Sequence, residues 1–221
     1  MATTGGGVNP KGGNQLLNAD ERNERWLKVS IGLIRFEKQM MPLVQQLGRL
    51  DVRLIQADAT WPDRFFDRNR SYEDDTALHE HITLSYLWVL GAYEFLRTLC
   101  DRIQSDTEEK TPAQVQAILL DAKRRFARVR IPLAKMEPAS KYSDEDSSIA
   151  YPGIKRGEGV AWQLNPSTIV TRRELSDVLL EALERRRSAF LRYQAGQFGQ
   201  EAGGALPLPT AADGDEDGTE A

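Results

Sequence analysis

The sequence contains few of the residues that bind metal ions or carry redox chemistry. Among its 221 residues there are one cysteine and two histidines. A lone Cys100 cannot form an internal disulfide. His79 and His81 have neither the spacing of paired helical zinc ligands nor a cysteine partner. We therefore expect no metal ion and no cofactor, and we expect a cytoplasmic protein that folds under reducing conditions.

Long apolar runs and phosphate-binding glycine motifs are also missing. The uncharged segment at residues 84–92 is about half as long as the ~20 residues that a bilayer requires. The first fifteen residues contain no apolar segment of the kind found in secretion signals. No Gly-Lys-Ser/Thr follows the N-terminal glycines, and no Gly-x-Ser-x-Gly is present. These absences argue against a membrane protein, a P-loop nucleotidase and a serine hydrolase.

Glycine and acidic residues are concentrated at the two ends of the chain. Of 17 glycines, five fall within residues 1–14 and six within residues 196–221. The last nine residues carry five acids, more than the formal charge of -4 of the whole chain. We therefore predict disordered tails at residues 1–17 and 196–221, with a single domain at residues 18–195 between them. The acidic tail is expected to promote solubility or, alternatively, to compete for the protein's own basic surface.

Helical periodicity dominates the body of the chain. An N-cap pattern at Asn18 and the proline at Pro42 predict two helices, or one bent helix, over residues 19–58. A second region, residues 77–104, has a heptad-spaced stripe that begins with His79 and continues with apolar or aromatic residues at positions 82, 86, 89, 93, 96, 100 and 103. Because residues 84–92 around Trp88 carry no charge on any side, we expect other helices to enclose this one.

Two further helices are marked by their start and stop signals. Thr111-Pro112 begins one that is expected to end at Pro132, and a capping box beginning at Thr171 opens the last, which is expected to end at Gly196. The segment between them, residues 133–170, has three prolines and two short apolar stretches that suggest a hairpin, at 149–151 and 160–162. The predicted fold is therefore an all-α bundle of about five helices, with a long, partly extended loop or small β-hairpin before the last helix.

Arginine-rich helix surfaces and the 133–170 excursion are the predicted binding elements. Arginine suits phosphate and carboxylate because its planar guanidinium donates two parallel hydrogen bonds, and a long loop within a compact domain often carries a binding function. The candidate phosphate- or partner-binding residues are Arg124, Arg125, Arg128, Arg130, Arg185, Arg186, Arg187, Tyr151 and Trp162.

The leading functional hypothesis is a non-catalytic interaction module that binds a protein or nucleic-acid partner. One alternative is a metal-independent nuclease or other enzyme using His79 or His81 with the nearby Glu80. Another is a self-associating structural protein, in which aromatic residues of irregular segments form the contact. Those aromatic residues are Trp61, Phe65, Phe66 and Trp162. Two arrangements are left open: an ion pair between Glu94 and Arg97, and burial of Arg186 against an acid such as Glu94.

Overall fold

The computed structural model describes residues 19–34, 38–59, 69–105 and 111–203, with side chains described as far as residue 195. Within these ranges the α-helices are α1 (Ala19–Ile31), α2 (Met40–Asp58), α3 (Tyr72–Ser105), α4 (Ala113–Lys135) and α5 (Arg172–Gly203). The tail predictions for residues before 19 and after 203 lie outside the described residues. The predictions for Trp61, Phe65 and Phe66 lie outside them as well.

The excursion before α5 contains a small antiparallel sheet. Its strands are β1 (Tyr151–Lys155), β2 (Gly159–Asn165) and β3 (Thr168–Thr171), in the order β1-β2-β3, and a short 3₁₀ turn (Ser140–Tyr142) precedes them. The protein is therefore mostly helical with a three-stranded sheet, and not purely all-α. The predicted hairpin corresponds to β1 and β2, whereas β3 was not predicted.

Prolines and glycines have milder effects on the helices than their sequence positions suggest. Pro42 lies in the first turn of α2, where its missing N–H leaves no bond unmade. Pro132 lies within the last turn of α4, which continues to Lys135, so the prediction that it ends this helix is wrong by three residues. Likewise α5 continues past Gly196 to Gly203.

The N-terminal half of α3 buries a face rotated by about one residue from the predicted stripe. It buries Leu78, His81, Ser85 and Trp88, whereas His79, predicted on the apolar face, is exposed. Further along the helix the predicted positions 89, 96, 100 and 103 are buried. Trp88 is 1% exposed and its indole N–H donates to the carbonyl of Leu47 at 2.9 Å, which confirms that this part of α3 is enclosed.

Helices and sheet share one hydrophobic core. Trp162, Leu164 and Val160 of β2 belong to the same buried cluster as Trp88 of α3 and Leu179 of α5. Strand β2 is therefore part of the domain interior and fixes the position of the excursion against the helices. Among the helices described, none has an apolar stretch long enough to cross a membrane.

Candidate functional site

A buried ion network joins α1, α2, α3 and α5, and it consists of Arg22, Asp51, Asp58, His81 and Arg172. Asp51 accepts hydrogen bonds from Arg22 Nε and Arg172 Nη1, both at 2.6 Å. Arg172 also reaches Asp58 at 2.7 Å through Nη2. Each of the five side chains is at most 5% exposed. Two guanidinium groups are thus matched by two carboxylates inside the protein.

Further donors complete the coordination of the two carboxylates. Trp26 Nε1 donates to Asp51 at 2.9 Å. At the other end of the network, Asp58 Oδ1 lies 2.7 Å from His81 Nε2 and 3.4 Å from the amide nitrogen of Val160 at the start of β2. The network therefore ties the sheet to the helices as well as the helices to one another.

Charge pairing decides the ionisation of Asp51. Burial opposes ionisation, but Arg172 and Arg22 outweigh it and hold the pKa of the Asp51 carboxyl below its ordinary value of 3.8. For Arg22, burial is likewise outweighed by Asp51 and Asp177, and the pKa of its guanidinium is raised. Both groups are therefore charged at neutral pH, as a compensated buried pair requires.

The histidines do not come together. His81 is enclosed within the buried ion network, whereas His79 is exposed and its Nδ1 lies 2.7 Å from the carbonyl oxygen of Asp75, one turn earlier. Glu80, the third catalytic candidate, is exposed beside His79. Among the described residues no group of His, Cys, Asp or Glu side chains is arranged to hold a metal ion. Cys100 is buried, and burial raises the pKa of its thiol.

The arginine groove is a cleft of about 530 Å³ between α4 and the junction of β3 with α5. Its cationic residues are Arg124, Arg125, Arg128 and Lys141, and its carboxylates are Asp121 and Glu174. Apolar residues of β3 and α5 also line it, namely Ile169, Val170, Leu175 and Val178. The excursion and the arginine face of α4, predicted separately as binding elements, are thus the two sides of one groove.

Arg128 anchors the excursion to α4. Its Nε and Nη2 donate to the two carboxylate oxygens of buried Asp146, each at 2.8 Å, and its guanidinium lies 3.9 Å from the centre of the Tyr142 ring. Asp146 also accepts a hydrogen bond from Asn165 of β2 at 2.8 Å. The bond to Arg128 overcomes burial and lowers the pKa of Asp146. Because both of these donors are already engaged, Arg128 positions the groove and leaves Arg124, Arg125 and Lys141 as its exposed cations.

The other predicted site residues are dispersed. Arg130 pairs with Glu94 at 3.3 Å on another side of α4. Arg186 is buried, but it donates to the carbonyl of Gly32 at 3.1 Å and does not pair with Glu94. Glu94 is half exposed and forms the ion pair with Arg97. None of these residues lines the arginine groove.

The remaining candidates also lie outside the arginine groove. Arg187 is half-buried, with its stem against Gly32. Tyr151 is exposed on β1, and Trp162 is 1% exposed, a core residue with no free surface for a partner. Arg185 lines a second groove, of about 680 Å³, between α1 and α5. There it faces Glu181 at 3.3 Å, and Arg25 forms a two-bond pair with Glu184. Much of the charge in this second groove is thus already paired.

Comparisons of the chain with protein-family models, curated proteins and solved structures gave no match. The inference of function therefore depends on the geometry of the arginine groove and the buried ion network.

Proposed function

We propose that the protein is a non-catalytic interaction module that holds an acidic segment of a protein partner in the arginine groove. The observation that carries this proposal is the meeting of the excursion with the arginine face of α4 in one cleft of 530 Å³. Exposed cations at its rim supply charge complementarity, and apolar side chains between them supply area that a partner buries.

The composition of the groove favours a protein partner over nucleic acid. Ile169, Val170 and Val178 give it an apolar surface suited to side chains of a peptide. Its two carboxylates, Asp121 and Glu174, reduce its net positive charge, and Asp121 already pairs with Arg125 at 2.9 Å. A dedicated nucleic-acid surface carries a larger excess of positive charge.

An enzymatic role for the histidines has less support. His81 is enclosed by the network that includes Asp58 and Arg172, and a catalytic base has to reach its substrate. His79 lies in a different direction on the same helix. The interaction module therefore remains the preferred hypothesis.

The experiment measures binding of a fluorescein-labelled ten-residue peptide of alternating glutamate and valine by fluorescence anisotropy. We expect saturable binding to the wild-type protein and a loss of about tenfold in affinity in the double variant Arg124→Glu/Lys141→Glu. The matched control is Arg185→Glu/Arg192→Glu, which makes the same charge change on two exposed arginines of the second groove and is expected to bind as the wild type does.

Nucleic acid is tested alongside the peptide with single-stranded RNA and duplex DNA at low and moderate salt. We expect no retention that depends on Arg124 and Lys141. Absence of peptide binding, or equal binding by the double variant, overturns the proposal. Salt-sensitive RNA or DNA binding that the double variant loses replaces the protein partner with nucleic acid.

A further inference from the structure

The arginine groove follows the open edge of the sheet. Strand β3 pairs with β2 on one side, and β3 is the last strand in the order β1-β2-β3. Thr168, Ile169 and Val170 all line the groove. Neighbouring side chains of a strand point to opposite faces, so three consecutive lining residues indicate that the groove runs along the edge of β3 and not over one face of the sheet.

The register identifies which backbone groups this edge offers. Pro152 of β1 lies opposite Trp162 of β2. Proline has no N–H, so a bonded pair here would lack one of its two hydrogen bonds, which favours assigning it as a non-hydrogen-bonded pair of the antiparallel ladder. The N–H and C=O of Trp162 therefore point to β3, where Val170 lies opposite. The alternation then directs the N–H and C=O of Ile169 away from β2.

An independent contact agrees with this register. Val160 lies opposite Ile154 two residues from the Pro152 pair, so its N–H must also point away from β1. Its amide nitrogen lies 3.4 Å from Asp58 Oδ1, so this N–H bonds a side chain of α2 and not β1. The assignments at Val160 and at Trp162 thus agree with each other.

We propose that the partner segment binds in an extended conformation and adds to the outer edge of β3 as a fourth strand, with its acidic side chains toward Arg124, Arg125 and Lys141. This proposal rests on the proposed function and specifies its partner. Backbone bonds to Ile169 supply affinity that is independent of sequence, and the cations select an acidic peptide. Arg124 and Arg125 are 60% and 56% exposed and share one carboxylate, Asp121, which leaves positive charge at the rim of the groove.

The test separates backbone pairing from charge. Ile169→Pro removes the outward N–H, whereas the control Ile169→Ala shortens the same side chain and keeps that N–H. Proline is tolerated at this position because the lost donor faces away from β2. We expect the glutamate–valine peptide to bind Ile169→Pro at least tenfold more weakly than the wild type, and Ile169→Ala less than threefold more weakly.

A modified peptide avoids any change to the protein. The same glutamate–valine sequence with N-methylated backbone amides keeps its charges and side chains but cannot pair as a strand, and we expect it to bind at least tenfold more weakly. On adding the unmodified peptide, amide hydrogen exchange of Ile169 is expected to slow.

The outcomes distinguish this proposal from the proposed function. If the peptide binds and Arg124→Glu/Lys141→Glu weakens it, but neither N-methylation nor Ile169→Pro does, the strand addition is wrong and the acidic-partner function stands. If the peptide does not bind the wild-type protein, both are overturned.

Discussion

At the scale of single residues, Asp51 is the carboxylate that links the two arginines of the buried ion network. It is fully buried and pairs with both Arg22 and Arg172. Asp51→Asn removes the negative charge and leaves two buried guanidinium groups with less compensation. We expect the free energy of unfolding to fall by about 3–5 kcal/mol, as when one partner of a buried ion pair is lost. Urea unfolding followed by circular dichroism measures the change.

The control for this prediction is Asp121→Asn. Asp121 also pairs with two arginines, but its side chain is 50% exposed. Solvent screens exposed pairs, so we expect a change of less than about 1 kcal/mol. Equal effects of the two substitutions would show that Asp51 is not part of a buried network.

The lowered pKa of Asp51 predicts how its contribution varies with pH. In the unfolded chain the carboxyl binds a proton near the ordinary value of 3.8, whereas in the folded protein Arg172 and Arg22 keep it ionised to lower pH. Its stabilising contribution is therefore fully present above the unfolded value and is lost as the pH falls through the folded value. We expect the stability difference between wild type and Asp51→Asn to be constant from pH 7 to 5 and to shrink toward pH 2.

Urea titrations of both proteins across this pH range measure the difference. Subtracting the free energy of unfolding of Asp51→Asn from that of the wild type at each pH cancels the contribution of other carboxyls, including Asp146. A difference that grows as the pH falls would contradict a lowered pKa for Asp51.

The sequence contained a signal for these residues that apolar periodicity alone does not reveal. Asp51 and Asp58 alternate with Leu47 and Leu54 at spacings of four, three and four residues, so both acids share the buried face of α2. Their partners were not predictable, because Arg172 is 121 residues from Asp51 along the chain.

At the scale of elements, the β1–β2 turn is shaped by two glycines. Gly157 and Gly159 have φ of 77° and 84°, a region that other residues enter at a cost. A Cβ on Gly159 would collide with the carboxylate of Asp58, whereas one on Gly157 or on Gly153 of β1 meets no atom within 4 Å. Alanine at these three positions therefore separates backbone strain from collision with the buried ion network.

We expect a graded loss of stability among the three alanine variants. Gly153→Ala should be neutral within about 0.5 kcal/mol and Gly157→Ala should cost about 1 kcal/mol, from φ alone. Gly159→Ala should cost more than about 2 kcal/mol, because Asp58 has to move as well. Thermal unfolding followed by circular dichroism gives the order. A Gly159→Ala protein as stable as Gly157→Ala would contradict the contact between the turn and Asp58.

Helices were more predictable than strands for physical reasons. The predicted N-cap at Thr171 is present, with the Glu174 amide donating to Thr171 Oγ1 at 3.0 Å. Strand β3 has four residues and runs directly into that capped helix, so its sequence has too few alternations to distinguish it from a loop. The groove could be predicted only as two separate surfaces, since Arg128 and Asp146 come together through the fold of the excursion.

At the scale of the whole molecule, the two ion clusters hold different parts together. The buried ion network joins α1, α2, α3 and α5, with the paired Asp51 and Arg172 lying 121 residues apart along the chain. The pair of Arg128 with Asp146 joins the excursion to α4 alone, across 18 residues. Loss of the first therefore weakens the entire domain, whereas loss of the second weakens the attachment of the excursion.

Native-state hydrogen exchange tests this division. We expect Asp146→Asn to speed exchange at Ser147, whose amide donates to the carbonyl of Leu164 at 2.7 Å, while the amide of Leu96 in the middle of α3 exchanges as in the wild type. In Asp146→Asn the local opening of the excursion then requires less free energy, whereas the free energy of global unfolding changes little. In Asp51→Asn both amides are expected to exchange faster, because the slowest ones open through global unfolding. If Asp146→Asn accelerated Leu96 as much as Ser147, the excursion and the helices would unfold as one unit and the two clusters would not act separately.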